Sequence, residues 1–199
     1  MGKLGNLETE LKYRLSATDY RRLMKSVPKP QRTLQLRNLY FDDAKFSLRR
    51  LGIGFRLRLV NQRRAILTLK LPHVTNQRSP AALKIRQEFE ETLPWATARK
   101  IQNGELSLIK IKSPLLSRLR RLLPTKVMAG LECLGEMEMS RTKTPLSPRL
   151  ELEIDTFTVF GKTYYELEVE TEDPFSTDRE VKALLKNTGS LAVHSSFLS

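Results

Sequence analysis

The sequence predicts a mainly β, α+β fold: a barrel with charged side chains on its inner face. Two observations carry this reading. Segment after segment alternates ionisable and apolar residues with the period of two that belongs to a strand. The ionisable positions are almost purely Glu, Asp, Lys and Arg, whereas a solvated sheet face mixes in Ser, Thr, Asn and Gln. Neighbouring carboxylates repel one another on a sheet unless cations neutralise them. A barrel with the charges inside does this, because closure removes the edges and leaves a lumen.

The elements follow in order. The first strand covers about residues 6–15, with Glu8, Glu10, Lys12 and Arg14 on one face and Leu7, Leu11, Tyr13 and Leu15 on the other. Ser16 is placed to cap a helix, with Asp19 as its capping partner. That helix runs to about Val27, buries Tyr20, Leu23 and Val27, and ends at Pro28 and Pro30. A strand over about 32–42 leads to a helical turn near Ala44–Arg50 and a hairpin or bulge at Gly52 and Gly54. Phe55–Val60 and Ala65–Leu71 form a hairpin whose turn, Asn61–Arg64, has no glycine. Residues 72–82 read as a polar loop and 83–92 as the next strand. Pro94 suits the first position of a helix reaching Gln102, and a second helix spans Ser113–Leu123. The last third predicts strands at about 126–142, 149–160 and 163–171, with Gly161-Lys162 as the final hairpin turn. A closing helix covers Asp178–Lys186, and Gly189–Ser199 is a tail.

At 199 residues the chain suits one domain with a substantial core, so residues 1–199 read as a single domain. No apolar run is long enough for a membrane helix, and no signal peptide is expected, so neither is a membrane partner. The single cysteine, Cys133, makes no internal disulfide, which suits a reducing, cytoplasmic setting. With only His73 and His194 beside it, a Cys/His zinc site is excluded. Both histidines read as surface residues, Cys133 as a small buried one, and Trp95 as an anchor between a helix and the barrel exterior. Arg118, Arg120 and Arg121 lie on an amphipathic helix that reads as a surface element, with an electrostatic funnel for polyanions as the sharper alternative.

The net charge of +13 is unevenly spread. Residues 1–130 carry 28 Lys/Arg against 9 Asp/Glu, and residues 131–199 carry 7 against 13. Keeping one parity per strand collects Arg56 and Arg58, then Thr68 and Lys70, then Arg86, Glu88 and Glu90. The same rule later collects Glu151, Glu153 and Asp155, then Glu166, Glu168 and Glu170. Clustered carboxylate oxygens suit a hard divalent cation such as Mg²⁺. Arginines two apart, with lysines nearby, suit the oxygens of a phosphate chain. Together they make a charge-stabilising site for phosphoryl or nucleotidyl transfer without a covalent nucleophile. The aromatic strip of a single-strand reader is missing, so no specific nucleic acid partner is expected.

The opening Glu8-x-Glu10-x-Lys12 resembles the signature of the CYTH family, the triphosphate tunnel metalloenzymes. Further matches follow in order: Tyr40-Phe41-Asp42-Asp43, Phe55-Arg56-Leu57-Arg58, Leu67-Thr68-Leu69-Lys70, Arg86-x-Glu88-x-Glu90, Leu152–Asp155 and Tyr165–Glu170. The resemblance covers residues 7–175, and the stretches Cys133–Arg141 and Glu166–Pro174 look most like plant and bacterial tripolyphosphatase-like members. It implies an eight-stranded antiparallel closed barrel, open at both ends with helices packed outside, that binds a triphosphate with Mg²⁺ or Mn²⁺. It further implies that Lys12, Arg56, Arg58, Lys70, Arg86 and Arg141 bind phosphate oxygens, and that Glu8, Glu10 and Glu168 hold a first metal. Glu88, Asp155 and Glu170 would hold or orient a second metal and the attacking water, one of them acting as base, with Lys12 also at the reacting phosphate. The expected activity is hydrolysis of inorganic tripolyphosphate, by a monomer or homodimer. The alternatives are ATP or thiamine triphosphate hydrolysis, a class IV-type adenylyl cyclase, and a non-catalytic polyanion or RNA binder. One departure stands out: Ser196 occupies the place of a C-terminal lysine common in the family, so either His194 substitutes for it or the closing contact is absent.

Overall fold

The computed structural model describes residues 5–29, 32–73, 83–189 and 193–194. The strands are β1 (Asn6–Leu15), β2 (Arg32–Asp42), β3 (Gly54–Val60), β4 (Arg64–Pro72), β5 (Leu83–Leu93), β6 (Glu132–Ser147), β7 (Leu150–Val159), β8 (Lys162–Glu170) and β9 (Val193–His194). They are hydrogen-bonded in the order β5-β4-β3-β2-β6-β7-β8-β1-β9, and β5 pairs again with β1. That last pairing makes β1 to β8 a closed antiparallel barrel, to which β9 adds a short pairing with Tyr13 and Arg14. The helices are α1 (Ala17–Ser26), α2 (Ser47–Arg50), α3 (Trp95–Gln102), α4 (Pro114–Leu122), α5 (Thr125–Ala129) and α6 (Pro174–Asn187).

The chain divides into two compact units, each with its own core. The first comprises Met1–Leu7, Leu36–His73 and Arg86–Glu138. There Leu57, Leu59, Leu67, Leu69, Phe89 and Leu93, one parity of β3, β4 and β5, pack with residues of α3 and α4. Trp95 packs against this core, as the sequence predicts. The second unit comprises Glu8–Gln35, Val74–Ile85 and Met139–Ser199. There Leu11, Tyr13, Leu15, Leu152, Ile154, Leu167 and Val169 pack with Leu23 of α1 and Val181 and Leu185 of α6. Each fully buried leucine contributes about 1.5–3 kcal/mol over an exposed one. The Tyr13 hydroxyl donates to Asp178 at 2.7 Å, which in turn accepts from Lys182 at 2.7 Å, tying β1 to α6. Burial and this hydrogen bond push the Tyr13 phenol upward from its ordinary pKa.

Local chemistry explains the boundaries. Ser16 Oγ accepts from the Asp19 backbone N–H at 3.0 Å and donates to its carboxylate, starting α1. The β3–β4 turn without glycine is carried by Asn61 and Gln62, both at positive φ. Asp42 and Asp43 serve as caps: Asp42 accepts from the N–H groups of Asp43, Leu48 and Arg49, and Asp43 from Lys45 and Ser47.

Four expectations are corrected. The strand placed at 126–142 begins only at Glu132, because Pro124 opens the short helix α5 and Gly130 closes it. The closing helix starts four residues earlier, at Pro174, where Asp173 caps it by accepting from the Ser176 N–H at 3.0 Å. Pro94 is the N-cap of α3, not its first helical residue. Cys133 is exposed, as are its neighbours Glu132, Leu134, Gly135 and Glu136 at both parities of the start of β6. Most of the 72–82 loop, together with Ser196 and the His194 side chain, lies outside the described residues.

Candidate active site

On the face opposite each core, the strand register lines up ionisable residues in rows. In the second unit Lys143, Glu153, Glu168 and Lys12 are successive partners on β6, β7, β8 and β1. Two residues along, Arg141, Asp155, Glu166 and Arg14 form the next row. Both rows read cation, acid, acid, cation, so attraction between neighbouring strands offsets repulsion between the two central ones. On one side of them Glu10 faces Glu170. On the other lies an apolar row, Met139, Phe157 and Tyr164, with the two rings 5.7 Å apart and the Arg14 guanidinium 5.5 Å from the Tyr164 ring centre.

These charges are withdrawn from solvent. Asp155 is fully buried, and Glu10, Arg141, Glu153 and Glu168 are each 8% exposed. The Arg141 guanidinium grips Asp155 with two bonds, at 2.7 and 2.6 Å, while also donating to Glu168 at 2.7 Å and to Glu153. The Lys12 ammonium is paired with Glu168 and lies 3.7 Å from Glu166 and 3.9 Å from Glu10. Burial alone would lower the pKa of both cations, but the surrounding carboxylates outweigh it and raise them. Asp155 is pushed up to about 6 by burial and by Glu168, against the opposing pull of Arg141.

The first unit presents a different face. Its rows are Gly54, Lys70 and Glu88; then Tyr40, Arg56, Thr68 and Glu90; then Asn38, Arg58, Ile66 and Thr92. Lys70 and Glu88 form an ion pair at 2.6 Å. Arg58 Nε donates to Asn38 Oδ1 at 2.9 Å, and Asn38 is fully buried. Arg56 Nε and Thr68 Oγ1, cross-strand partners, are both buried with no hydrogen-bond partner.

The model of the CYTH domain matches residues 6–195. The chain belongs to the CYTH family. No protein of curated function matches it in sequence. Among solved structures, HpAC1 from Hippeastrum, provisionally named an adenylyl cyclase and described as having a dominant triphosphatase activity, superposes with a TM-score of 0.82 at 23% identity, over 94% of this chain and 90% of that one. A Bacillus halodurans protein, provisionally named an adenylate cyclase, gives 0.76 at 22% identity, over 98% and 99% of the two chains. The PH1819 protein of Pyrococcus horikoshii gives 0.57 at 14% identity, over 96% of each. At these identities the likeness speaks to the fold alone.

In this CYTH protein the structure joins Glu10, Lys12, Arg141, Asp155 and Glu168 in one ion-paired network in the second unit. Glu8 is half-buried on the same face of β1, and Glu170 is exposed at the end of β8. In the first unit Arg56 and Arg58 share a face of β3, Lys70 and Glu88 pair, and half-buried Arg86 sits opposite Pro72. The sequence reading placed Glu153, Glu166, Arg14 and Thr68 in the parity class without a ligand role, and did not single out Lys143 or Asn38. Most of these have the right parity, but only the register shows which cation meets which acid. Of the three arginines on α4, Arg118 lies over the Phe89 ring at 3.8 Å and Arg120 donates to the Ile109 carbonyl at 2.7 Å.

The donors available to a metal are all carboxylate oxygens, which fits a hard divalent cation. Among the described residues no three His, Cys, Asp or Glu side chains are arranged to hold one. Lys12, Arg141 and Lys143 instead neutralise the acids. A cation bound by Glu10 and Glu168 therefore competes with the Lys12 ammonium for the same oxygens.

Proposed function

We propose that this CYTH protein is a divalent-metal-dependent triphosphate hydrolase whose substrate is inorganic tripolyphosphate. The observation that carries this is the pair of ionisable faces, one rich in guanidinium and ammonium groups and one in carboxylates held out of solvent. Family membership supports the substrate class, and the described activity of HpAC1 agrees with it. The family model matches residues 6–195, and β2, β5 and β6 each have residues in both units, which supports one functional domain over 1–199.

In this reading Arg56, Arg58, Lys70, Arg86, Lys12 and Arg141 bind phosphate oxygens. Glu8, Glu10 and Glu168, with Glu88, Asp155 and Glu170, would hold Mg²⁺ or Mn²⁺. Such a metal, when bound, neutralises charge on the phosphate oxygens and acidifies bound water. Water attacks the terminal phosphorus, the bridging P–O bond breaks to release pyrophosphate from tripolyphosphate or ADP from ATP, and a carboxylate takes the water's proton. Both oxygens of Asp155 accept from Arg141, so as a metal ligand it would share them with that guanidinium, and Glu170 or Glu88 is the proton acceptor. Water attack predicts orthophosphate as the first product from tripolyphosphate or ATP. Cyclase chemistry, attack by the ribose hydroxyl on the α-phosphate, gives cyclic AMP and pyrophosphate instead. Product analysis with ATP decides between them: cyclic AMP as the main product overturns the hydrolase reading.

A further inference from the structure

Thr68 sits mid-strand on β4, 1% exposed, on the face that carries Arg56, Arg58 and Lys70. Its hydroxyl has no partner, and neither has Nε of Arg56, directly across the ladder. Buried polar groups in native proteins are nearly always hydrogen-bonded, so two orphans at one cross-strand position call for an explanation. Valine has the same shape as threonine and fills the same space on a strand without an orphaned group. The hydroxyl at this position is thus unused by the fold itself. Both orphaned groups can donate, and donors left open beside surplus cations suit an anionic oxygen.

Resting on the triphosphatase reading, we infer that Thr68 Oγ1 and Arg56 Nε form one oxyanion subsite, each donating a hydrogen bond to a phosphoryl oxygen of the substrate. Thr68 is then a phosphate-binding residue. It supplies directional recognition without charge, which the neighbouring arginines and Lys70 do not. Its cost is carried by the free protein as an unsatisfied hydroxyl, and the bond forms only when the anion arrives.

The test compares the full-length wild type with Thr68→Val and Thr68→Ser. Calorimetric titration with tripolyphosphate in EDTA reads binding without turnover, and thermal melting of the free proteins reads stability. The inference predicts that Thr68→Val binds roughly tenfold to a hundredfold more weakly, as expected for a hydrogen bond to a charged group. The same variant melts no lower than wild type, and Thr68→Ser retains affinity. In kinetics the loss falls on KM, with kcat held, as for uniform binding. If wild type binds tripolyphosphate and Thr68→Val binds equally well, the subsite is wrong while the triphosphatase reading stands. A Thr68→Val protein that melts several degrees lower assigns the hydroxyl to the fold and also overturns the inference. A wild type that binds no tripolyphosphate removes the substrate reading, and this subsite with it.

Discussion

Replacing Arg141 with methionine removes one cation and leaves three buried acids. Its guanidinium bonds to Asp155 twice and to Glu153 and Glu168 once each. Methionine preserves much of the volume but supplies no charge. Breaking a buried ion pair by deleting one partner costs about 3–5 kcal/mol, because the remaining charge has lost both water and partner. With Lys12 and Lys143 still in place on Glu168 and Glu153, about 3 kcal/mol is the expected loss at pH 8. The pH dependence has a definite sign. Asp155 in the folded protein titrates at about 6, above its ordinary value of 3.8. The folded state therefore binds more protons in that window, and this group's contribution to stability falls as pH rises through it. Removing Arg141 takes away the one cation that holds Asp155 down, so its folded pKa climbs further and the window widens upward. The variant should lose stability more steeply than wild type between pH 5 and pH 8, by at most about 1.4 kcal/mol per pH unit for this group. Urea unfolding in EDTA at both pH values measures it. A cost below about 1 kcal/mol at pH 8, or an equal cost at pH 5, refutes the claim that these acids are buried and mutually dependent on Arg141.

Two further outcomes are expected. The double variant Glu8→Gln/Glu10→Gln should retain the wild-type circular dichroism spectrum while losing nearly all metal-dependent phosphate release; full activity would remove both residues from the metal site. Asn38→Leu should raise KM several-fold with little change in kcat, because Arg58 loses the carbonyl that holds its Nε at 2.9 Å, whereas Asn38→Gln should restore part of the loss. An unchanged KM would make Asn38 a packing residue only.

The fold was legible where period and punctuation agree. The parity of β1, β3, β7 and β8 is written in runs such as Glu8–Leu15 and Leu150–Asp155, and the cap at Ser16 stands beside a clear apolar pattern, whereas Ser113, read as the first residue of its helix, is the N-cap of α4. It was less legible at 125–131, where Thr125-Lys126-Val127-Met128-Ala129 has no decisive period and Pro124 alone tips it to helix. Cys133 is exposed between Leu131 and Leu134, because flanking leucines imply burial only where an element packs over them. The charged residues of the site were visible as a parity class, yet their pairing was not. Which acid Arg141 grips depends on the β6–β7 and β7–β8 registers, the first of which shifts at the irregularity between Pro145 and Ser147. Asn38 carried no signal of its own, and Thr68 stood in the parity class and in Leu67-Thr68-Leu69-Lys70 with no role attached. A lone Thr or Asn on a strand gains meaning only from the group across the ladder, Arg56 in one case and Arg58 in the other.

The central claim, triphosphate hydrolysis assisted by a divalent metal, is tested most directly by phosphate release. Tripolyphosphate, ATP and thiamine triphosphate would be assayed side by side with Mg²⁺, Mn²⁺ or EDTA. The account predicts fast release from tripolyphosphate with a divalent metal and none in EDTA, with the other two substrates slower. Release from none of the three under any metal condition would contradict it.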